Sequence, residues 1–153
     1  LARQLALYVI IYSPMQMVAD RPEQYKNYMD AFKFIQEVPV DWSATVPISG
    51  AIGDYVIIAR RDKNSKDWFI GGVSGVVEFE LSFLSEARKY NAEIYQDGDS
   101  AHWRDNQNDI FIYQKEVTSA DSIKLRMAPG GGFAIKLTSL NEDNLTEGNC
   151  GVI

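Results

Sequence analysis

The chain has 153 residues, 46% of them hydrophobic and 24% charged. That composition suits a globular domain with a real core, and the length excludes a complete (β/α)8 enzyme, which needs roughly 200–250 residues. Lys and Arg number 15 against 21 Asp and Glu, for a net charge of -6. An acidic balance argues against nucleic acid or an anionic membrane as partner, because phosphate groups call for a basic face, and it leaves a neutral ligand such as a sugar open. The one cysteine, Cys150, has no second thiol to pair with, and no Cys/His cluster shows zinc spacing.

The chain opens LARQLALYVIIYSPMQM, with no initiator Met and no secretory leader pattern, and reads as a piece of something longer. Leu5–Tyr12 is an unbroken apolar run, far short of the roughly 20 residues of a membrane span. It predicts a helix over Leu1–Ser13, apolar all round and stopped by Pro14. Without its neighbours, that helix is expected to expose an apolar patch around Leu5–Tyr12 and to drive self-association. Pro14–Ala19 (PMQMVA) predicts a brief buried strand. Asp20 then opens a second helix: Asp20 and Glu23 stand in capping-box spacing, and Pro22 falls in the first turn. Tyr25, Tyr28, Met29 and Phe32 predict its apolar face, with Lys26, Asn27, Asp30 and Lys33 opposite.

Pro39 and Pro47 rule out helix over Val38–Gly50, which reads as a linker. Beyond it the pattern shortens to strands: Asp54–Arg60, Asp67–Val73, Val76–Phe83, Lys89–Gln96, Asp109–Tyr113, Ser122–Met127 and Phe133–Leu137. The turn RDKNSK between the first two predicts a hairpin. Seven short strands with regular turn signals predict an antiparallel β-sandwich, so the fold class is mainly β, a sandwich preceded by two helices. Asn141–Ile153 is polar and reads as a tail.

His102 lies in DGDSAHWRDNQND beside Asp97, Asp99, Asp105 and Asp109. The aspartate spacing matches no calcium loop, and a polar sandwich loop explains it better than a metal or acid–base site. Pro129–Gly132 (PGGG) precedes a strand rather than a helix, which predicts a tight turn rather than a phosphate cradle. Trp42, Trp68 and Trp103, with Tyr55, Tyr95 and Tyr113, are aromatics that could stack on sugar rings, although sandwiches bury such side chains as core, and Trp68, inside a strand, reads as core or interdomain packing. Trp103, in the polar loop, is the aromatic most open to stacking on a sugar ring. Asp20 follows a short strand, as the site residues of (β/α)8 barrels do, so it is a second candidate for substrate contact beside its role as a cap. No catalytic residue and no metal ligand is assigned.

The segments ARQLALYVIIYSPMQMVADRPEQY, FIQEVPVDW, GDYVIIARRDKNSKDWFIGG, AEIYQDGDSAHW and MAPGGGFAIKL, in that order, resemble the C-terminal part of glycoside hydrolase family 97. GVSGVVEFE is shorter than the family's pattern there, and residues 141–153 have no counterpart in it. The resemblance implies a large exo-acting bacterial α-glycosidase, α-glucosidase or α-galactosidase, with a catalytic (β/α)8 barrel and a C-terminal sandwich. It implies that residues 1–37 close the barrel, 38–50 link, 51–140 form the sandwich and 141–153 trail. The catalytic carboxylates and a calcium ion would lie upstream, with no cofactor in this stretch. The partners implied are the rest of the barrel and an α-linked oligosaccharide, and the location implied is the periplasm or outside a Gram-negative cell. An independent carbohydrate-binding module built on Trp103 is the alternative; a self-contained enzyme using His102 and its aspartates is a third.

Overall fold

The structure is a computed structural model and describes residues 1–18, 21–73 and 75–140. Asp20 and the 141–153 tail lie outside the described residues. Helix α1 (Ala2–Ile10) is followed by α2 (Pro22–Tyr25), a 3-10 turn (Lys26–Tyr28) and α3 (Met29–Glu37). Eight strands follow: β1 (Trp42–Ala51), β2 (Tyr55–Asp62), β3 (Trp68–Val73), β4 (Val76–Glu80), β5 (Lys89–Asp97), β6 (Ile110–Val117), β7 (Ser122–Arg126) and β8 (Gly132–Leu140). Six of them form one antiparallel sheet in the order β1-β2-β3-β8-β5-β6, and β4 and β7 pair as a small second sheet.

Period-two alternation splits the central strands between two cores. Trp68 and Ile70 of β3, Ala92 and Ile94 of β5, and Phe133 and Ile135 of β8 face the small sheet, where Val77, Phe79, Ile123 and Leu125 meet them. Phe69, Tyr95 and Ala134 point the other way and are covered by Leu5 and Val9 of α1 and by Ala31 and Phe34 of α3. Phe34 sits edge-on to Phe69 and Tyr95, with ring centroids 5.9 and 5.1 Å away. A fully buried side chain of this kind stabilises by about 1.5–3 kcal/mol. The large sheet is thus covered on both faces, by strands on one and by helices on the other.

Glycine sets how closely α1 can lie. A Cβ on Gly71 would stand 2.6 Å from the Ala6 carbonyl oxygen and 3.0 Å from the Val9 Cβ. One on Gly132 would stand 2.9 Å from the Arg3 Cα. The C-terminus of α1 is then capped from the sheet. Arg60 of β2, buried, donates from Nε to the Val9 carbonyl at 2.6 Å and from Nη2 to the Ile10 carbonyl at 3.3 Å. It also donates from Nη1 to Thr45 Oγ1 at 3.1 Å, and lies 5.6 and 5.9 Å from the Tyr12 and Trp42 ring centroids. Burial lowers the guanidinium pKa from its usual value, but an arginine stays charged, and a cation is favourable where helix carbonyls are left unpaired. Helix α3 is pinned by two ion pairs to the sheet, Lys33–Glu93 at 3.2 Å and Lys136–Glu37 at 3.0 Å.

Five expectations change. The linker 38–50 carries β1: its exposure alternates along the strand, and Pro47 is tolerated because β1 is an edge and the register shifts between Pro47 and Ser49. Helix α1 ends at Ile10 rather than Ser13, with Ile11 extended. Of its apolar run, Leu5, Ala6 and Val9 are fully buried. The exposed apolar stretch therefore falls later, at Ile11, Tyr12, Met15, Met17 and Val18. Residues 14–18 form no strand, since none of the described strands pairs with them. In the second helical stretch the buried face is Ala31 and Phe34, with Val38 just beyond. Tyr28 and Met29 are exposed, and Tyr25 stacks on Phe32 at 4.7 Å.

Two substitutions check this packing. Gly71→Ala forces a methyl against a backbone carbonyl, and is expected to cost about 1–3 kcal/mol, read as a lowered urea midpoint at unchanged slope. Tyr95 is buried with no hydrogen-bond partner for its hydroxyl among the described residues. Burial first, and the Glu93 carboxylate next, push that phenol above its usual range. The unfolded chain then loses this proton at lower pH than the folded one, so stability falls as pH rises past about 10. Tyr95→Phe is expected to leave stability near neutral pH unchanged or raised and to flatten that alkaline decline, measured by denaturant titrations at pH 7 and above pH 10.

Candidate functional site

The end of β5 delivers Asp97 to the end of the sheet that also carries the β7–β8 turn. The Asp97 carboxylate is 8% exposed. Its Oδ2 accepts from the Ala128 N–H at 3.1 Å and the Gly132 N–H at 3.0 Å. The Gly131 N–H closes the turn on the Ala128 carbonyl at 2.8 Å. Only glycine fits at Gly131, where a Cβ would lie 1.7 Å from Asp97 Oδ2, and Gly130 takes a φ of +72°. The PGGG segment is therefore a turn, as its sequence predicts, folded around a buried carboxylate. Helix α1 reaches the same place: Arg3 Nη1 donates to the Gly130 carbonyl at 2.9 Å.

Residues 98–109 form the neighbouring loop, braced from within. His102 and Asn106 exchange backbone hydrogen bonds at 3.0 and 3.1 Å. Asn106 Nδ2 donates to the Ser100 carbonyl at 3.2 Å, and Gln107 Nε2 to the Trp103 carbonyl at 2.6 Å. Asp109 Oδ2 accepts from the Ser100 N–H at 2.9 Å. Asn108 Nδ2 donates to the Tyr28 hydroxyl at 3.0 Å, tying the loop to the helical layer. At its tip Trp103 is 54% exposed, with the Arg104 guanidinium 4.7 Å from its ring centroid. His102 Nδ1 lies 3.1 Å from Asp105 Oδ2, both side chains well exposed.

Between the loop, the turn and the start of α1 lies an open cleft of about 370 Å³ whose lining includes Arg3, Gln4, His102, Trp103, Asn106 and Gly130. Its chemistry is that of recognition: an aromatic face among amide and guanidinium donors. Asp97 is tied to two backbone amides and Asp105 sits on His102, so neither is presented as half of an acid–base pair. Among the described residues no group of three or more His, Cys, Asp or Glu side chains stands ready to hold a metal.

Of the sequence candidates, Trp103 lines this cleft, while Asp20 lies outside the described residues. Trp68 is core, its ring 5.0 Å from Phe83. Trp42 is half-buried against Phe69 at 5.8 Å. Sequence reasoning missed Arg3 and Gln4, which only the seating of α1 brings to a loop a hundred residues away in the chain.

A two-sheet antiparallel sandwich with a helical cover defines the class: a β-sandwich domain that spans a small part of the proteins it resembles is an accessory domain. The chain belongs to glycoside hydrolase family 97: the family model described as "Glycosyl-hydrolase 97 C-terminal, oligomerisation" matches residues 41–138. The match takes in β1, so the sandwich begins about ten residues before the expected position 51. A retaining alpha-galactosidase of Bacteroides thetaiotaomicron is 36% identical over 141 residues, covering 88% of this chain and 20% of that protein. A probable retaining alpha-galactosidase of Streptomyces bingchenggensis is 27% identical over 138 residues, covering 87% and 20%. A glycoside hydrolase family 97 enzyme from Pseudoalteromonas sp. strain K8, solved in complex with acarbose, superposes with a TM-score of 0.87 at 42% identity, covering 92% of this chain and 22% of that one. The chain thus spans about a fifth of the length of the relatives it matches.

The Asp97 clamp has a measurable weight. Asp97→Ala orphans the buried Gly132 N–H and the part-buried Ala128 N–H and is expected to cost about 2–4 kcal/mol in urea unfolding, since each lost bond to a charged acceptor is worth about 1.5–3 kcal/mol before relaxation.

Proposed function

We propose that this domain serves a bacterial α-glycosidase, bracing its catalytic (β/α)8 barrel and contributing no catalytic group. The observation that carries the reading is the superposition on a family 97 enzyme over 92% of the chain, too much to leave out the helices. Helices and sandwich therefore travel together as one packed unit. The exposed run of Ile11, Tyr12, Met15, Met17 and Val18 supports contact with the rest of the glycosidase, because a monomer seldom leaves so much contiguous apolar surface in water. The family's description as an oligomerisation domain supports association of copies as well.

Galactosides or glucosides in α linkage are the substrate class of the whole protein, and its site of action is the periplasm or beyond. On this reading the calcium ion implied by the family belongs to the barrel. In the assay, the full-length protein is expected to hydrolyse 4-nitrophenyl α-galactoside or α-glucoside, to lose that activity in EDTA and to regain it with calcium. The 153-residue chain alone is expected to show no turnover and no change of melting temperature with EDTA. Turnover by this chain at the full-length rate, or a fall in its melting temperature on chelation, overturns the assignment.

A further inference from the structure

We propose that the cleft beside Trp103 binds a pyranose ring of an α-linked oligosaccharide. The linkage class rests on the glycosidase reading above; the site itself rests on the geometry. A pyranose is neutral and two-sided: its C–H face is apolar and its rim is a ring of hydroxyls. It asks for a flat aromatic surface flanked by planar hydrogen-bonding groups, and gains little from net charge. The cleft offers that set. Trp103 is a large apolar side chain 54% exposed at a loop tip, while the other two tryptophans are packed against phenylalanines.

The groups around it are suited to hydroxyls. Gln4 lines the cleft and no described group engages its side chain. Arg3 commits Nη1 to the Gly130 carbonyl, and a guanidinium has five N–H donors in all. Asn106 and Gln107 spend their NH2 groups on loop carbonyls, which fixes each amide with its oxygen left as an acceptor. Arg104 lies over one face of the indole and the His102 ring stands 5.8 Å away, tilted by 33°, and the sugar would stack on the face that Arg104 leaves.

Rigidity distinguishes this loop from an adventitious surface tryptophan. A displayed aromatic on a floppy loop would pay an ordering cost on binding. Here the cost is met during folding, by the His102–Asn106 bridge, by Asp109 on Ser100 and by Asn108 on Tyr28. The wall opposite is equally fixed, because Asp97 holds the Ala128–Gly132 turn through two amides. Gly130, at positive φ, brings that turn within van der Waals reach of Trp103: a Cβ there would lie 3.5 Å from the Trp103 Cβ. Platform and wall are thus set before a ligand arrives.

Isothermal titration of the chain with maltotriose and with raffinose, to tens of millimolar, tests the site. Saturable binding of at least one is expected, weakened about tenfold in Trp103→Ala and partly kept in Trp103→Phe, since the first removes the stacking face and the second keeps a smaller one. Circular dichroism of both variants verifies the fold. Wild-type affinity in Trp103→Ala, or no saccharide binding by the wild-type chain, overturns the proposal. The titration requires no catalysis, so it is separable from the glycosidase reading. A full-length protein inactive on both aryl glycosides sinks that reading alone, and an active one whose domain ignores both sugars sinks the cleft alone.

Discussion

The seating of α1 on the large sheet is the constraint on which everything else depends. A helix backbone can approach a sheet this closely only where side chains are missing, and Gly71 and Gly132 clear the track. Arg60 then closes the helix end from the sheet side, satisfying two carbonyls with one buried cation. Removing a charge from water is costly, and the cost is offset only when the buried group is fully engaged. Here the two helix carbonyls, the Thr45 hydroxyl and two aromatic rings engage it.

That seating also forms the cleft beside Trp103. Arg3 and Gln4 belong to α1, Trp103 to the β5–β6 loop, and Gly130 to the β7–β8 turn. None of these segments is near another in sequence, and the sheet register joins only the loop and the turn. Strand β8 stands between β3 and β5, so the turn that precedes it and the loop that follows β5 emerge at one end of the sheet. The first turn of α1 lies across the same end. Structural and functional demands meet at Asp97, which fixes the turn and is thereby used up as a chemical group.

Most strands could be read from alternation because each sits between a wet or helical face and an apolar one. β1 could not, since Pro47 speaks against any regular element unless the strand is known to be an edge. The second helix was legible as a helix but not in its orientation. Tyr28, at the end of the 3-10 turn Lys26–Tyr28, leaves the helical region with φ -138° and ψ 45°, so one helical wheel does not run through from Tyr25 to Phe34. An apolar face projected through that turn names Met29 where the fold buries Ala31 and Phe34. The site divides the same way: a tryptophan in a polar loop announces its exposure, whereas Asp97 finds its two amides 31 and 35 residues onward, beyond any local pattern.

The strand order carries a consequence for how the chain is made. β3 has no neighbour on one side until β8 exists, and β5 likewise waits for β8, while β4 waits for β7. Helix α1, made before any strand of this domain, has half of its glycine track on β8, the last of the described strands in chain order. Little of this domain can therefore become native in order of synthesis. The β1–β2–β3 meander can pair locally, but the β3 and β5 edges stay open until residues 132–140 emerge. A premature stop between β5 and β8 would release a chain with the inner edges of β3 and β5 open and α1 seated on half of its track, the kind of species a cell's quality control is built to recognise.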